Sequence, residues 1–442
     1  MANEFVLREL ILELNEYMTN PVKTFSIFGG IGRALSNRNY RIYWSGQIMM
    51  VQGFWIYKIV SGWLMWELTS SSAWLGGLAA GYMLPVLFLG PFGGAVADHY
   101  GYRKVAIIMG SLGALLALLT AMLTWINLMV PLLLVGLASL QGTLFAFEFP
   151  ARQSLFPLLV SRKDLAAAVA VNSTTYYSAG FTGPLLGGLL LTIGNTITGV
   201  SLGFIANAFC IACMMIALYK IKQPRKQNDD TANIGTPNLI IDLKSGLKYA
   251  YNHSDLRILL LIALAASLFI RPHIDFLPGF SDNVFDKGKN GLAILTAVSG
   301  VGSMIFAAFF AIRGRTSGLV PVLFFCQITA TITLIWFSLS TQFIIALLAL
   351  SLVGGLLVSS SIASQSLIQY TVDDKYRARV ISLNVSLGIG APALSALIIG
   401  WAAEYEGLQI TFAGVGFIGF LFSIPLCLKL LKHRRQIEAE KN

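Results

Sequence analysis

Four ionisable side chains stand where the chain is otherwise apolar. Lys58 interrupts a run over about 42–66, and Arg271, His273 and Asp275 interrupt another over about 256–280. A lone charge at the middle of a bilayer costs at least ~2.5–3.5 kcal/mol, so such residues are paired or functional. Arg271 and Asp275 are four residues apart, a spacing that puts both on one face of an α-helix and predicts an ion pair between them. Facing a polar cavity, Lys58 and Arg271 would attract an anionic or carbonyl-rich solute, and Asp275 would accept and release a proton. The competing reading puts Arg271–Asp275 at the outer interface and lets Lys58 snorkel. Glu148 and then Asp98 follow Asp275 as proton carriers. No nucleophile–base pair, metal-ligand cluster or phosphate loop accompanies these residues, and Gly29-Gly30-Ile31-Gly32 lacks the preceding strand of a dinucleotide site. The expectation is a protein that is not an enzyme and needs no cofactor or metal.

The elements that must hold these residues are long apolar helices. The 442 residues are 56% hydrophobic and 12% charged, too apolar for a soluble chain of this length. A span takes ~20 apolar residues, and continuous rather than alternating runs favour helices over a barrel. Twelve runs are predicted, at about 42–66, 73–97, 104–126, 129–149, 166–192, 197–219, 256–280, 290–312, 318–339, 342–367, 378–402 and 408–430. The net charge of +10 does not mark a nucleic-acid partner, because Lys and Arg gather in alternate polar breaks while the opposite loops hold only Lys287 and Lys289. That is the positive-inside pattern, with both termini cytoplasmic. Cys210 and Cys213, one helical turn apart in an apolar run, read as packing residues.

Before the first span, residues 1–38 carry an amphipathic stripe (Leu7, Leu10, Ile11, Leu14, Met18). Residues 39–220 form one set of six spans, and 256–430 form a second. Between them lies a polar linker, 221–255, ending in a short amphipathic helix over 238–251 whose apolar face is Leu239, Leu243, Leu247 and Tyr251. Residues 431–442 are a polar tail. The two sets echo each other: Ala151-Arg152-Gln153-Ser154-Leu155 recurs as Ala363-Ser364-Gln365-Ser366-Leu367, and Val160, Lys163, Ala166 and Asn172 meet Val372, Lys375, Ala378 and Asn384 at the same offset of 212 residues.

Between the second and third runs stands Gly93-Gly94-Ala95-Val96-Ala97-Asp98-His99-Tyr100-Gly101-Tyr102-Arg103-Lys104. Gly94, Asp98, Gly101, Arg103 and Lys104 make this stretch resemble the helix 2–3 loop of the major facilitator superfamily. His99 and Tyr102 depart from it, each standing where a cation is usual. The resemblance implies an all-α membrane protein of twelve transmembrane helices in two pseudo-symmetric six-helix bundles, related as parallel repeats. It also implies that Glu148, at the inner end of helix 4, joins Asp98 and Arg103 in a charge cluster that gates the cytoplasmic side. In helix 5, Gly183-Pro184-Leu185-Leu186-Gly187-Gly188 resembles the glycine–proline motif of proton-coupled drug antiporters, an element that favours export in that family; Ala179 stands where glycine is usual.

Four further stretches narrow the resemblance to the branch of bacterial enterobactin (siderophore) exporters and macrolide efflux permeases: Asn39-Tyr40-Arg41-Ile42-Tyr43-Trp44-Ser45-Gly46-Gln47, Gly53-Phe54-Trp55, Trp63-Leu64-Met65-Trp66-Glu67-Leu68-Thr69 and Pro150-Ala151-Arg152-Gln153. The implied function is a secondary transporter exporting an amphipathic organic solute, a siderophore or drug, by alternating access, with H+ as coupling ion. The substrate would bind at Lys58, Arg271 and Asp275 against an aromatic wall including Trp55 and Tyr177, with Tyr82, Phe145 and Tyr176 as further candidates. The expected setting is the bacterial cytoplasmic (inner) membrane, and the expected state a monomer. An importer of the same fold, or a non-transporting receptor or scaffold, remains the alternative.

Overall fold

The computed structural model describes residues 32, 35–161, 164–221, 247–313, 318–373 and 376–433. Long helices stand at all twelve expected positions: α1 Arg38–Thr69, α2 Ser72–Tyr100, α3 Tyr102–Trp125, α4 Pro131–Leu155, α5 Leu165–Leu191 and α6 Thr196–Lys220, then α7 from Ser254, α8 Gly288–Arg313, α9 Leu319–Leu339, α10 Phe343–Thr371, α11 Arg377–Glu406 and α12 Leu408–Lys432. Among the described residues, eleven helices are long and apolar enough to cross a membrane; α5, 27 residues long, is not one of the eleven. The starts of α10, α11 and α12 follow those of α4, α5 and α6 by the repeat offset of 212 residues (343 − 131, 377 − 165, 408 − 196). The N-terminal amphipathic stripe, residues 222–246 of the linker and the tail after His433 lie outside the described residues. Of the short helix before α7, Leu247 and Tyr251, expected on its apolar face, are exposed, whereas Ala250 is buried.

Sharp connections set the up-and-down order. Gly101 alone joins α2 to α3 with φ +94, and Gly407 alone joins α11 to α12 with φ +80. An L side chain rarely adopts these angles, so glycine is required at both. The termini of α1 and α12 share one face of the molecule, called here the terminal face; the α1–α2 and α11–α12 turns lie on the far face. His433 at the end of α12 reaches Asp255 at the start of α7 (2.7 Å), and Ser71 in the α1–α2 turn reaches Glu404 near the end of α11 (2.8 Å).

In the N-terminal half, α1 packs on α5 and α6, α2 on α4, and α3 on α4 and α6. In the C-terminal half, α7 packs on α10 and α12, α8 on α10, and α9 on α10 and α12. Helix α2 meets α11, and α5 meets α8, across the halves. The cores divide in the same way. One apolar cluster draws on both halves (Trp63, Trp66, Phe204, Phe276, Phe280, Phe337, Phe412), while a second is built only from the N-terminal half around Tyr40, Tyr43 and Met214, and a third only from the C-terminal half around Leu259, Leu323 and Leu430. The shared cluster lies toward the far face and the two separate ones toward the terminal face. The halves are therefore joined at one end and individually packed at the other. Outside, large apolar side chains such as Phe88, Leu132, Phe209, Phe309 and Ile344 are exposed. Such a coat suits hydrocarbon rather than water.

Candidate functional site

The first candidate residues lie on the least regular helix. Helix α7 is α-helical over Ser254–Ala265, widens to a π turn over Ala266–Ile270, tightens to a 3-10 turn over Arg271–Phe276, and ends with Leu277–Gly279 and a second π turn, Phe280–Val284. Pro272, directly after Arg271, and Pro278, three residues past Asp275, bring no backbone N–H and so break the ladder around the charged residues. A span interrupted in this way is a common setting for a binding site.

The break decides the pairing. At three residues per turn, side chains four apart diverge by about 120° instead of sharing a face. Arg271 and Asp275 therefore do not form the expected pair. Asp275 instead meets Lys58 of α1, Nζ to Oδ1 2.9 Å, across the two halves, with side chains 22% (Lys58) and 17% (Asp275) exposed. Arg271 turns the other way and donates from Nη2 to Ser361 Oγ of α10 at 3.0 Å. All three residues line a cavity of about 360 Å³ between the halves. His273, expected at an interface, is buried against it, and its Nδ1 donates to the Ile270 carbonyl at 2.6 Å.

The opposite wall is aromatic. Trp55, Phe54, Tyr57, Tyr82 and Tyr176 line the cavity from the N-terminal half. Trp55 stands edge-on to Phe54 with ring centroids 5.7 Å apart and lies 6.5 Å from Tyr176. Tyr176 stands on this wall as the sequence suggested, and the side chain of Tyr177 lies outside the described residues. Phe145 packs behind the wall on Phe54 and Tyr82.

The helix 5 motif sets the position of this wall. A Cβ at Gly183 would fall 2.4 Å from that of Trp55, so α1 can sit this close only over glycine there, while one at Gly187 would meet Ile56 and Ile59 at near-ordinary contact. Gly188 faces Ala293 of α8 in the other half. Pro184 leaves the carbonyl of Gly180 without its usual helical donor. That carbonyl faces Gly300 of α8, where an added Cβ would lie 2.5 Å from the oxygen.

On the terminal face the expected charge cluster is not assembled in this conformation. Glu148 is buried and pairs with Arg152 (2.6 Å), which also bonds Gln47 of α1. Asp98 is exposed and accepts from Tyr102 at 2.5 Å, so the residue that departs from the superfamily pattern is its partner. Arg103 bonds the Leu218 and Tyr219 carbonyls at the end of α6 (2.8 and 2.5 Å), where a cation complements the helix dipole. Arg152 is the cation that reaches Glu148 because α4 stays helical there and a four-residue spacing holds. Of the loop glycines, Gly101 makes the turn, whereas Gly94 faces open space; Gly93 provides the close approach, against Ala146 and Phe147 of α4.

Sequence reasoning passed over Ser361, Asp282 and Glu404. Trp66 donates to Asp282 Oδ2 at 2.9 Å, and Glu404 Oε2 accepts from Ser71 Oγ and from the Ala73 N–H (2.8 and 3.2 Å). Each is a polar bond between the halves, on the far side of the cavity. The run Ser359-Ser360-Ser361 inside an apolar span was the one signal that pointed to Ser361.

Comparison with known proteins agrees with this architecture. A family described as "Transmembrane secretion effector" matches residues 33–441. The chain is 22% identical over 382 residues to the staphyloferrin A transporter of Staphylococcus aureus, covering 85% of this chain and 92% of that protein. It is 25% identical over 384 residues to the multidrug efflux pump Tap of Mycobacterium tuberculosis, covering 83% and 87%. In fold it is similar to a bacterial homologue of the human lysosomal transporter Spinster in an inward-facing, unoccupied conformation, with a TM-score of 0.70, 15% identity and coverage of 89% of this chain and 98% of that one.

Proposed function

The chain belongs to the transmembrane secretion effector family of the major facilitator superfamily, and from this we propose that it is a proton-driven exporter of an amphipathic organic solute, of the siderophore or drug kind. It would act as a monomer in the bacterial cytoplasmic membrane, with both termini inside. The terminal face, which carries most of the Lys and Arg, is then cytoplasmic. The shared core on the far side and the separate cores on the terminal side support reading this conformation as closed outward and open inward.

The observation that carries the proposal is the Lys58–Asp275 pair. It spans the two halves, lines the cavity and uses the one carboxylate among the described residues lining it. A solute entering from the cytoplasm competes for Lys58 and so loosens a bond that holds the outer side shut. The halves then rock, a binding event shifting a population. A proton reaching Asp275 from outside removes its charge, the solute leaves, and the proton travels inward on the return. One charge crossing ~100 mV contributes ~2.3 kcal/mol per cycle. The relatives named as a staphyloferrin A transporter and a multidrug efflux pump support the solute class.

The test is transport by the purified chain in proteoliposomes, using a panel of amphipathic solutes and an imposed proton gradient. Wild type should accumulate a solute against its gradient. Asp275→Asn should lose gradient-driven accumulation. Accumulation that survives Asp275→Asn would remove this residue as proton carrier, and movement only in the opposite direction would favour the importer.

A further inference from the structure

The cavity is electrically lopsided. Among the described residues its lining holds two cations, Lys58 and Arg271, and one carboxylate, Asp275. Lys58 and Asp275 neutralise each other at 2.9 Å. One formal positive charge, that of Arg271, is left over. Its Nη2 is occupied by the neutral Ser361 hydroxyl, which leaves the charge uncompensated. Arg271 Nε is buried and has no hydrogen-bond partner. A half-buried cation with an idle, buried donor is costly unless something charged meets it.

Two more lining residues carry buried polar atoms without a partner: the indole Nε1 of Trp55 and Nε2 of His273. The Trp55 N–H can only donate. The His273 ring spends Nδ1 on the Ile270 carbonyl, so Nε2 is the end left for a ligand; it accepts when neutral and donates when charged. An idle donor on a guanidinium fork suits an oxyanion, and the Trp55 N–H is a second idle donor in the same lining. Tyr176 and Trp55 continue from there as an aromatic wall. A volume of about 360 Å³ lies at the low end of small-molecule pockets, which run about 300–1,000 Å³.

Resting on the exporter reading above, we infer that this cavity is a subsite for a planar carboxylate, gripped by Arg271 and Trp55, on a solute that is a net monoanion with a flat aromatic body. The C-terminal half holds the charged end through Arg271, and the N-terminal half holds the apolar end. Arg271 takes the carboxylate, and competition for Lys58, beside it in the same lining, comes from the rest of the solute.

The experiment compares two probes of the same shape, 2-naphthoate and 2-naphthamide, by calorimetric titration of the full chain in lipid nanodiscs. Wild type should bind the carboxylate more than about tenfold tighter, as expected for a charge-assisted pair of bonds. Arg271→Gln should bring that ratio close to one, and Arg271→Lys, which keeps the charge and loses the fork, should leave an intermediate ratio. Trp55→Phe should weaken naphthoate about threefold or more and naphthamide by less, since the charged acceptor loses the stronger bond, a selectivity that loss of fold would not give. Equal binding of the two probes, binding of neither, a preference for the amide, or a preference that survives Arg271→Gln in a folded protein overturns the subsite. Transport of either probe by wild type in proteoliposomes is scored separately: movement of both without a carboxylate preference sinks the subsite and leaves the exporter standing, whereas tight naphthoate binding with no movement of any solute does the reverse.

Discussion

The indole N–H of Trp66, near the end of α1, donates to Asp282 Oδ2 at 2.9 Å, near the end of α7. The two helices stand in corresponding places in the two halves, so one bond fastens twin elements to each other at the far face. Asp282→Asn or Trp66→Phe should loosen this fastening. Spin labels at Asn127 and Thr341, both exposed on that face, should report a population at longer distance. An unchanged distance distribution in both variants would leave the bond without a role in closure.

Lys58 and Asp275 should behave as one unit. Removing either leaves the other partly buried and unpaired, so each alanine variant should lose transport. In a double-mutant cycle on thermal unfolding, a coupling of about 0.5–3 kcal/mol is expected. The swapped pair Lys58→Asp with Asp275→Lys should recover stability better than either single change. Additive losses would argue against direct pairing.

Glu148 and Arg152 are 2% and 3% exposed, and their pairing at 2.6 Å is a matter of stability. Arg152→Ala strands a buried carboxylate, with an expected loss of about 3–5 kcal/mol. Glu148→Gln with Arg152→Gln removes both charges and should restore much of it. Differential scanning of the purified variants distinguishes the two; a double variant no better than Arg152→Ala would contradict the argument.

Glycines pave the seam between α2 and α11. A Cβ at Gly400 would lie 2.7 Å from the Ser72 carbonyl and 3.2 Å from the Gly76 Cα. Gly400→Val should therefore hold the far side apart at a cost of about 1–3 kcal/mol in the closed form. The Asn127–Thr341 labels should again read longer distances, with transport lost while the protein still reaches the membrane. Normal transport by this variant would show that the seam tolerates bulk.

The positions of the helices were legible because each is announced by about twenty apolar residues and bounded by polar ones. The repeat offset was legible too, since identical residues survive at both ends of it. The pairing of side chains was not. A regular helix was assumed at Arg271–Asp275, whereas Pro272 and Pro278 tighten it and turn Asp275 toward Lys58. Glu148 was assigned to loop cations by analogy, whereas Arg152, one turn away on the same helix, takes it. Closeness between helices was easier to read, since Gly183, Gly187 and Gly188 marked where α5 would be approached.

The 2.9 Å bond between Lys58 and Asp275 joins residues 217 positions apart in the chain (275 − 58). During synthesis the lysine enters the bilayer with α1, long before its partner has been translated. For that interval the nascent first half carries an unanswered ammonium group, a burden of ~2.5–3.5 kcal/mol on insertion scales. Arrival of the second half relieves it. The ion pair that fastens the finished carrier is thus also a reason for the two nascent halves to find each other.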